Sequence, residues 1–214
     1  MILLYNYLAR EKLISMNLPN MLEAKKRTKE VSKVLYDDYN TLNVENIGKN
    51  KKYLILTYGC QMNVHDSEYI SGIMEDMGYT KVDDMDKADV IIINTCAIRE
   101  NAHNKASGML GRIKHLKETN DNIKVIFCGC MAQESGIVNK FKDYKWIDII
   151  CGTHNYHKIP EYLMELDKQD KVCEVYSIEG NVIENIPVKR DSKYTAWVNI
   201  QYGCDKFCTY CIVP

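Results

Sequence analysis

Three apolar runs of strand length, each stopping at a cysteine, constrain this chain more than anything else in it. Tyr53-Leu54-Ile55-Leu56-Thr57 stops at Gly59-Cys60, Val90-Ile91-Ile92-Ile93-Asn94 at Thr95-Cys96, and Lys124-Val125-Ile126-Phe127 at Cys128-Gly129-Cys130. The runs are apolar on both faces, as strands covered from both sides are. Helical stripes separate them. Ile70, Ile73, Met74 and Met77 form one, opened by a cap at Asp66 or Ser67 and closed by Gly78. Ile98, Ala102, Ala106, Met109, Ile113 and Leu116 form a second, and a third helix runs from about Ala132 to Phe141. Trp146 to Ile150 reads as a fourth strand, ending at Cys151-Gly152. A helix opening near Pro160, a residue suited to a first turn, buries Tyr162, Leu163 and Leu166. Val172 to Tyr176 makes a fifth strand or an edge. This alternation predicts an α/β fold: a parallel sheet with helices on both faces and right-handed crossovers.

In such a sheet, ligands bind in the crevice beyond the carboxyl ends of the strands. Cys60, Cys96 and Cys130 all fall there, so three cysteines far apart in sequence converge. Gly59 and Gly129 suit tight turns beside a bulky ligand, and the helix N-termini that follow favour thiolates. A lone buried cysteine is usually a small hydrophobe. Three at equivalent loops point instead to a metal centre, and three thiolates can hold three irons of a [4Fe–4S] cube. Cys128, Cys151 and Cys173 read as structural, with Cys151 a competing ligand because it too ends a strand.

A second cysteine cluster lies at Gly203 to Pro214. Cys204, Cys208 and Cys211 stand at offsets of 0, 4 and 7, with Tyr210 before the third. Again there are three thiolates, where a structural zinc site wants four ligands. Ala196-Trp197-Val198-Asn199-Ile200 reads as a strand leading into this loop. The organisation expected is a helical leader over 1–47, the α/β domain over 52–178, a polar linker over 179–193 and the start of another domain over 194–214. In the leader, Met21, Ala24, Thr28, Val31 and Leu35 form one stripe. Lys25, Lys26, Arg27, Lys29 and Lys33 crowd the same helix and read as a solvated face rather than an RNA contact.

Formal net charge is −1, so bulk charge announces no nucleic-acid partner and any such contact is local. Nine cysteines are many for an intracellular protein and an odd number for a disulfide framework. The apolar start is too short for a signal peptide and no stretch reaches membrane-spanning length, which leads to the expectation of a cytoplasmic protein without membrane contact.

The same residues carry a family resemblance. Tyr58-Gly59-Cys60-Gln61-Met62-Asn63 with Asp66-Ser67-Glu68, Asn94-Thr95-Cys96-Ala97-Ile98-Arg99-Glu100-Asn101-Ala102, Gly129-Cys130-Met131-Ala132-Gln133 and Gly152-Thr153-His154-Asn155 resemble the amino-terminal domain of the radical S-adenosylmethionine (SAM) methylthiotransferases. The Cys204, Cys208, Cys211 loop is similar to that family's radical SAM motif, and Gln61-Met62-Asn63 resembles the MiaB-type branch, which modifies tRNA. The resemblance runs from about Lys52 to Pro214. It implies two [4Fe–4S] clusters. The one on Cys204, Cys208 and Cys211 binds and cleaves SAM, with Tyr210 near the adenine. The auxiliary one on Cys60, Cys96 and Cys130 carries the sulfur. It further implies methylthiolation of C2 of N6-isopentenyladenosine in the tRNA anticodon stem-loop, an electron donor such as flavodoxin or ferredoxin, and a monomer. Sibling branches act on threonylcarbamoyladenosine tRNA or a ribosomal protein. A different class of reading is a stand-alone iron–sulfur or zinc-binding module. Family members continue into a (β/α) barrel and a small RNA-binding TRAM domain, so this chain is expected to be an incomplete form, with a truncated barrel, and to lack activity alone.

Overall fold

The computed structural model describes residues 35–39, 46–175 and 181–199. The basic leader helix, the Cys204, Cys208, Cys211 loop, Tyr210 and the barrel they were read into lie outside the described residues. All but two of the described residues fall in one compact unit, Val34–Trp197.

Six strands make its main sheet: β2 (Lys52–Tyr58), β3 (Thr80–Lys81), β4 (Val90–Thr95), β5 (Lys124–Cys128), β6 (Ile149–Cys151) and β7 (Val172–Glu174). Their order is β3-β2-β4-β5-β6-β7 and every pairing is parallel. Strand β4 is central and all six of its residues are buried, which is why its sequence is an unbroken apolar run and not an alternating one. Four helices cover the sheet: α1 (Gln61–Asp76), α2 (Glu100–Thr119), α3 (Ser135–Lys142) and α4 (Ile159–Glu165).

The two faces have separate cores. On one, Tyr53, Val90, Ile92, Ile126 and Ile149 pack against Ile70, Ile73, Met74 and Met77 of α1 and against Ile159 and Tyr162 of α4. On the other, Leu54, Ile91, Ile93, Val125 and Phe127 pack against Ala106, Leu110 and Ile113 of α2 and Phe141 of α3. Each fully buried aliphatic side chain contributes about 1.5–3 kcal/mol. The α1 stripe read from the sequence is fully buried at all four positions. In α2 the buried positions are Ala102, Ala106, Leu110, Ile113 and Lys117, while Ile98 precedes the helix and is 60% exposed.

The chain leaves β2 through α1 to β3 on one side, then returns to β4 on the other side of β2. That reversal creates a switch point between β2 and β4, where open α/β sheets bind ligands. One crossover departs from the expected hand. Helices α2 and α3 lie on one face as the chain steps from β4 to β6, whereas α4 carries the next step in the same direction on the other face. The β6–α4–β7 connection therefore has the opposite hand, at an edge strand of only three residues.

Other expectations are corrected. Helix α1 starts at Gln61 and not at Asp66 or Ser67, because Cys60 already takes the cap position and the Asn63 side-chain oxygen accepts the Cys60 N–H at 3.1 Å. The fourth strand is Ile149–Cys151, so Trp146 and Ile147 precede it. Leu35, read as the end of a helical stripe, opens strand β1 (Leu35–Asp38), which pairs in parallel with β8 (Asn181–Glu184). The stretch read as a linker is thus partly strand, and beyond it the chain is tied to α1 and β3. The Lys189 N–H donates to Glu68 O at 3.0 Å, Lys189 Nζ meets Glu75 at 2.7 Å, and Lys81 Nζ meets Asp191 at 2.8 Å. Polarity there reflects ion pairing to a helix rather than freedom. Among the described residues, 196–199 form no strand, and Val198 is 73% exposed.

Candidate metal centre

The carboxyl ends of β2, β4 and β5 bring Cys60, Cys96 and Cys130 to one end of the sheet, two of them flanking the switch point. Cys60 caps α1 and is half-buried. Cys96 follows β4 directly, is 2% exposed, and donates its N–H to Tyr58 O at 2.9 Å, which extends the β2–β4 ladder into the cysteine loops. Cys130 opens a short 3-10 turn, Cys130–Gln133, after Gly129, and is half-buried. Gly59 and Gly129 have φ of 153° and 94°, and a Cβ on either would collide with Asn63 and Cys96, or with Asn94 and Thr95, respectively. Both glycines are there because the three loops approach too closely for a side chain. Arg99 donates to Gly59 O at 2.7 Å and so ties the β4 loop to the β2 loop.

The electrostatics of the site come from crowding. Burial, then Asp66, then Cys96 and Cys60, push the Cys130 thiol up to about 11. Asp66 itself is pushed up to about 7 by burial, against a Tyr156 hydroxyl that donates to it at 3.3 Å and favours the charged form. Tyr156, in the loop after β6, is buried and held well above its ordinary value by burial and then by Asp66. The Thr95 hydroxyl, immediately before Cys96, is buried without a hydrogen-bond partner. A buried hydroxyl of that kind calls for an explanation, and an acceptor bound among the cysteines supplies one.

Cys128 and Cys151 form a deeper pair beside this set. Both are fully buried, and their side chains hydrogen-bond to each other, which together with burial raises the Cys128 thiol well above its ordinary value. Cys96 and Cys60 act on Cys130, and Cys130 with Asp66 in turn acts on Cys128. Cys173 sits half-buried in β7, its thiol raised by burial.

Ligands about 2.3 Å from one zinc ion stand within about 4 Å of each other. Among the described residues no three His, Cys, Asp or Glu side chains are grouped closely enough to hold one metal ion. A multi-iron centre asks something different of three thiols, since each thiolate would take a different iron. A positively charged centre also reverses the crowding that raises Cys130, since a coordinating thiol is deprotonated outright.

Sequence reasoning assigned no role to Asn63, Asn94, Thr95 or Tyr156, and took Asp66 for a cap. The signal for Asn94 was present: a polar residue closing an otherwise apolar strand, here 0% exposed.

Residues 52–152 match the family described as Uncharacterized protein family UPF0004. The chain is 52% identical over 199 residues to the tRNA-2-methylthio-N(6)-dimethylallyladenosine synthase of Staphylococcus haemolyticus (strain JCSC1435), a match covering 92% of this chain and 38% of that protein. It is 53% identical over 201 residues to the protein of the same name from Staphylococcus saprophyticus subsp. saprophyticus, covering 92% and 39%. With that of Staphylococcus aureus (strain JH9) the identity is 53% over 199 residues, covering 92% and 38%. The chain thus spans about two fifths of the length of the curated relatives it matches. Among the described residues no helix is long and apolar enough to cross a membrane.

Proposed function

We propose that this chain is the cluster-holding, amino-terminal part of a tRNA methylthiolation enzyme. The whole enzyme places a methylthio group on C2 of N6-isopentenyladenosine beside the anticodon, acts in the cytoplasm as a monomer, and takes electrons from a flavodoxin or ferredoxin. The reading is carried by the gathering of Cys60, Cys96 and Cys130 at one sheet end, within a chain half identical to relatives that bear this activity in their names.

In this reading Cys60, Cys96 and Cys130 hold an auxiliary [4Fe–4S] cluster, while Cys204, Cys208 and Cys211 hold a second one together with SAM, with Tyr210 beside the adenine. When bound, these groups supply the sulfur and the one-electron chemistry that attack on C2 requires. The protein's share is placement. Strand ends β2, β4 and β5 fix three thiols, and the loop tie from Arg99 to Gly59 keeps two of them in register. Cys96 and Thr95 are buried, so water is kept from the inner side of the site. Cys60 and Cys130 are half-buried, so the outer side stays open to a substrate.

The test uses the chain joined to the remaining length of the Staphylococcus aureus relative, in cells whose tRNA carries isopentenyladenosine without the methylthio group. Mass spectrometry of digested tRNA should show 2-methylthio-isopentenyladenosine with the joined protein and none with its Cys60→Ala variant. No product from the joined protein, or equal product from the variant, overturns the proposal.

A further inference from the structure

A chain of buried amide hydrogen bonds runs beneath the cysteine loops. The Cys60 N–H donates to Asn63 Oδ1 at 3.1 Å, and the Cys60 Sγ lies 3.5 Å from the same oxygen. Asn63 Nδ2 donates to Asn94 Oδ1 at 3.1 Å, and Asn94 Nδ2 donates back to Asn63 O at 2.8 Å. Asn94 Nδ2 also donates to Ser67 Oγ at 3.0 Å, and Ser67 shares a 2.7 Å hydrogen bond with Thr57 Oγ1. Asn63 and Asn94 are both 0% exposed.

The direction of this chain is fixed by its ends. A backbone N–H only donates and a carbonyl only accepts. Cys60 N–H therefore demands the Asn63 oxygen, which turns the Asn63 amide nitrogen towards Asn94. Asn63 C=O demands the Asn94 nitrogen, which turns the Asn94 oxygen towards Asn63. Flipping either amide opposes two donors or two acceptors in a buried site, which costs more than a solvated mismatch. Asn94 is the penultimate residue of β4, before Thr95 and Cys96, and its side-chain oxygen fills the space that a Cβ on Gly129 would need. One side chain of β4 thus meets the first turns of α1 that follow Cys60 and the Gly129 turn that precedes Cys130.

We propose that the Asn63–Asn94 pair is a positioning element that locks the Cys60, Cys96 and Cys130 loops together before any metal arrives. It presents three thiols at fixed separation to an incoming iron–sulfur centre. The inference rests on the proposed function for the nature of the ligand, but not for the lock itself.

The test uses the full chain with Cys204, Cys208 and Cys211 replaced by Ala, so that only the first site is read. Asn94→Ala, Asn63→Ala and Ser67→Ala are compared. In the metal-free proteins, amide hydrogen exchange at Cys60 should be about tenfold faster in the two Asn variants, the loss of roughly one buried hydrogen bond. Exchange at Ile92, in mid-strand, should be unchanged. Iron bound after anaerobic reconstitution with ferrous iron and sulfide should fall well below that of the unsubstituted chain. Ser67→Ala, at the far end of the network from Cys60, should change both readouts less than either Asn variant. Unchanged exchange and loading in both Asn variants, or an equal loss in Ser67→Ala, overturns the inference. So does loss of a cooperative melt in both Asn variants, which would make the pair a fold element rather than a positioning one. If the unsubstituted chain takes up no iron, the proposed function fails, and the exchange rates still decide the lock.

Discussion

The two ends of the same sheet are built on opposite terms. At the amino ends of the strands the charged groups are matched, although the Trp146 indole N–H there is buried without a partner. Lys117 and Asp148, both nearly buried, pair at 2.5 Å, and Asp148 also accepts the Val125 N–H at 2.6 Å, which ties α2 to β5 and β6. Lys171 donates to the carbonyls of Phe141, Lys142 and Tyr144 at 2.8, 2.8 and 3.0 Å, closing the C-terminus of α3. At the carboxyl ends, the Thr95 hydroxyl has no partner, Asp66 is forced towards its neutral form, and Cys130 resists ionising. One end spends its polar groups on the fold. The other holds them in an arrangement that costs stability until something binds, a common trade between stability and function.

Substitutions can break this contrast, and the largest effect belongs to the matched end. Asp148→Ala strands the buried Lys117 ammonium, so chemical denaturation should show a loss of about 3–5 kcal/mol. Iron uptake by whatever remains folded should be unchanged, since no cysteine loop is touched. An equal or larger stability loss from Asn94→Ala would erase the distinction between the two ends.

Asp66→Asn should do the reverse and stabilise the metal-free protein above neutral pH. The folded carboxyl is raised from 3.8 to about 7 by burial. A carboxyl with a raised folded value favours the folded state at low pH, and that contribution is lost as pH rises from about 4 through about 7. Removing the charge should therefore gain about 2 kcal/mol at pH 8, after allowing for the partly exposed carboxyl, and nothing at pH 4. Denaturation midpoints across that range check the sign; a variant less stable at pH 8 contradicts it.

A smaller effect follows from Cys130. Its thiol must lose a proton to bind iron, and burial with neighbouring Asp66 has raised its value to about 11. Reconstitution should therefore release protons and run faster at pH 8.5 than at pH 7. A rate independent of pH would mean that deprotonation of Cys130 does not limit loading.

Much of the sheet was legible because its strands are buried on both faces. Tyr53–Thr57, Val90–Asn94 and Lys124–Phe127 could be nothing but short apolar runs between helical stripes, and their ends located the cysteines. Elements without that signature were missed. β3 has two residues, Thr80 and Lys81. β1 and β8 pair across more than half the chain, and their mixed composition gives no period. The stretch from Pro187 to Asp191 reads as a linker because its Lys189 and Asp191 charges meet Glu75 and Lys81, and its backbone N–H groups meet Glu68, partners that only the tertiary structure supplies. The α1 start was misplaced because Asp66 is a strong cap by composition, whereas the cap here is a cysteine supported by Asn63. In the site itself, cysteine positions follow from strand ends, but the Asn63–Asn94 pairing joins residues on different elements and has no local signal.

The central claim is that Cys60, Cys96 and Cys130 form one donor set and that the other described cysteines do not belong to it. Iron and sulfide content should be measured after anaerobic reconstitution of the chain with Cys204, Cys208 and Cys211 replaced, and of its six further variants at Cys60, Cys96, Cys128, Cys130, Cys151 and Cys173. Each of Cys60→Ala, Cys96→Ala and Cys130→Ala should abolish the bound iron and its visible absorption. Cys128→Ala, Cys151→Ala and Cys173→Ala should retain both, with Cys128→Ala costing only packing, about 1 kcal/mol. Iron retained by Cys130→Ala and lost by Cys128→Ala or Cys151→Ala would contradict the account.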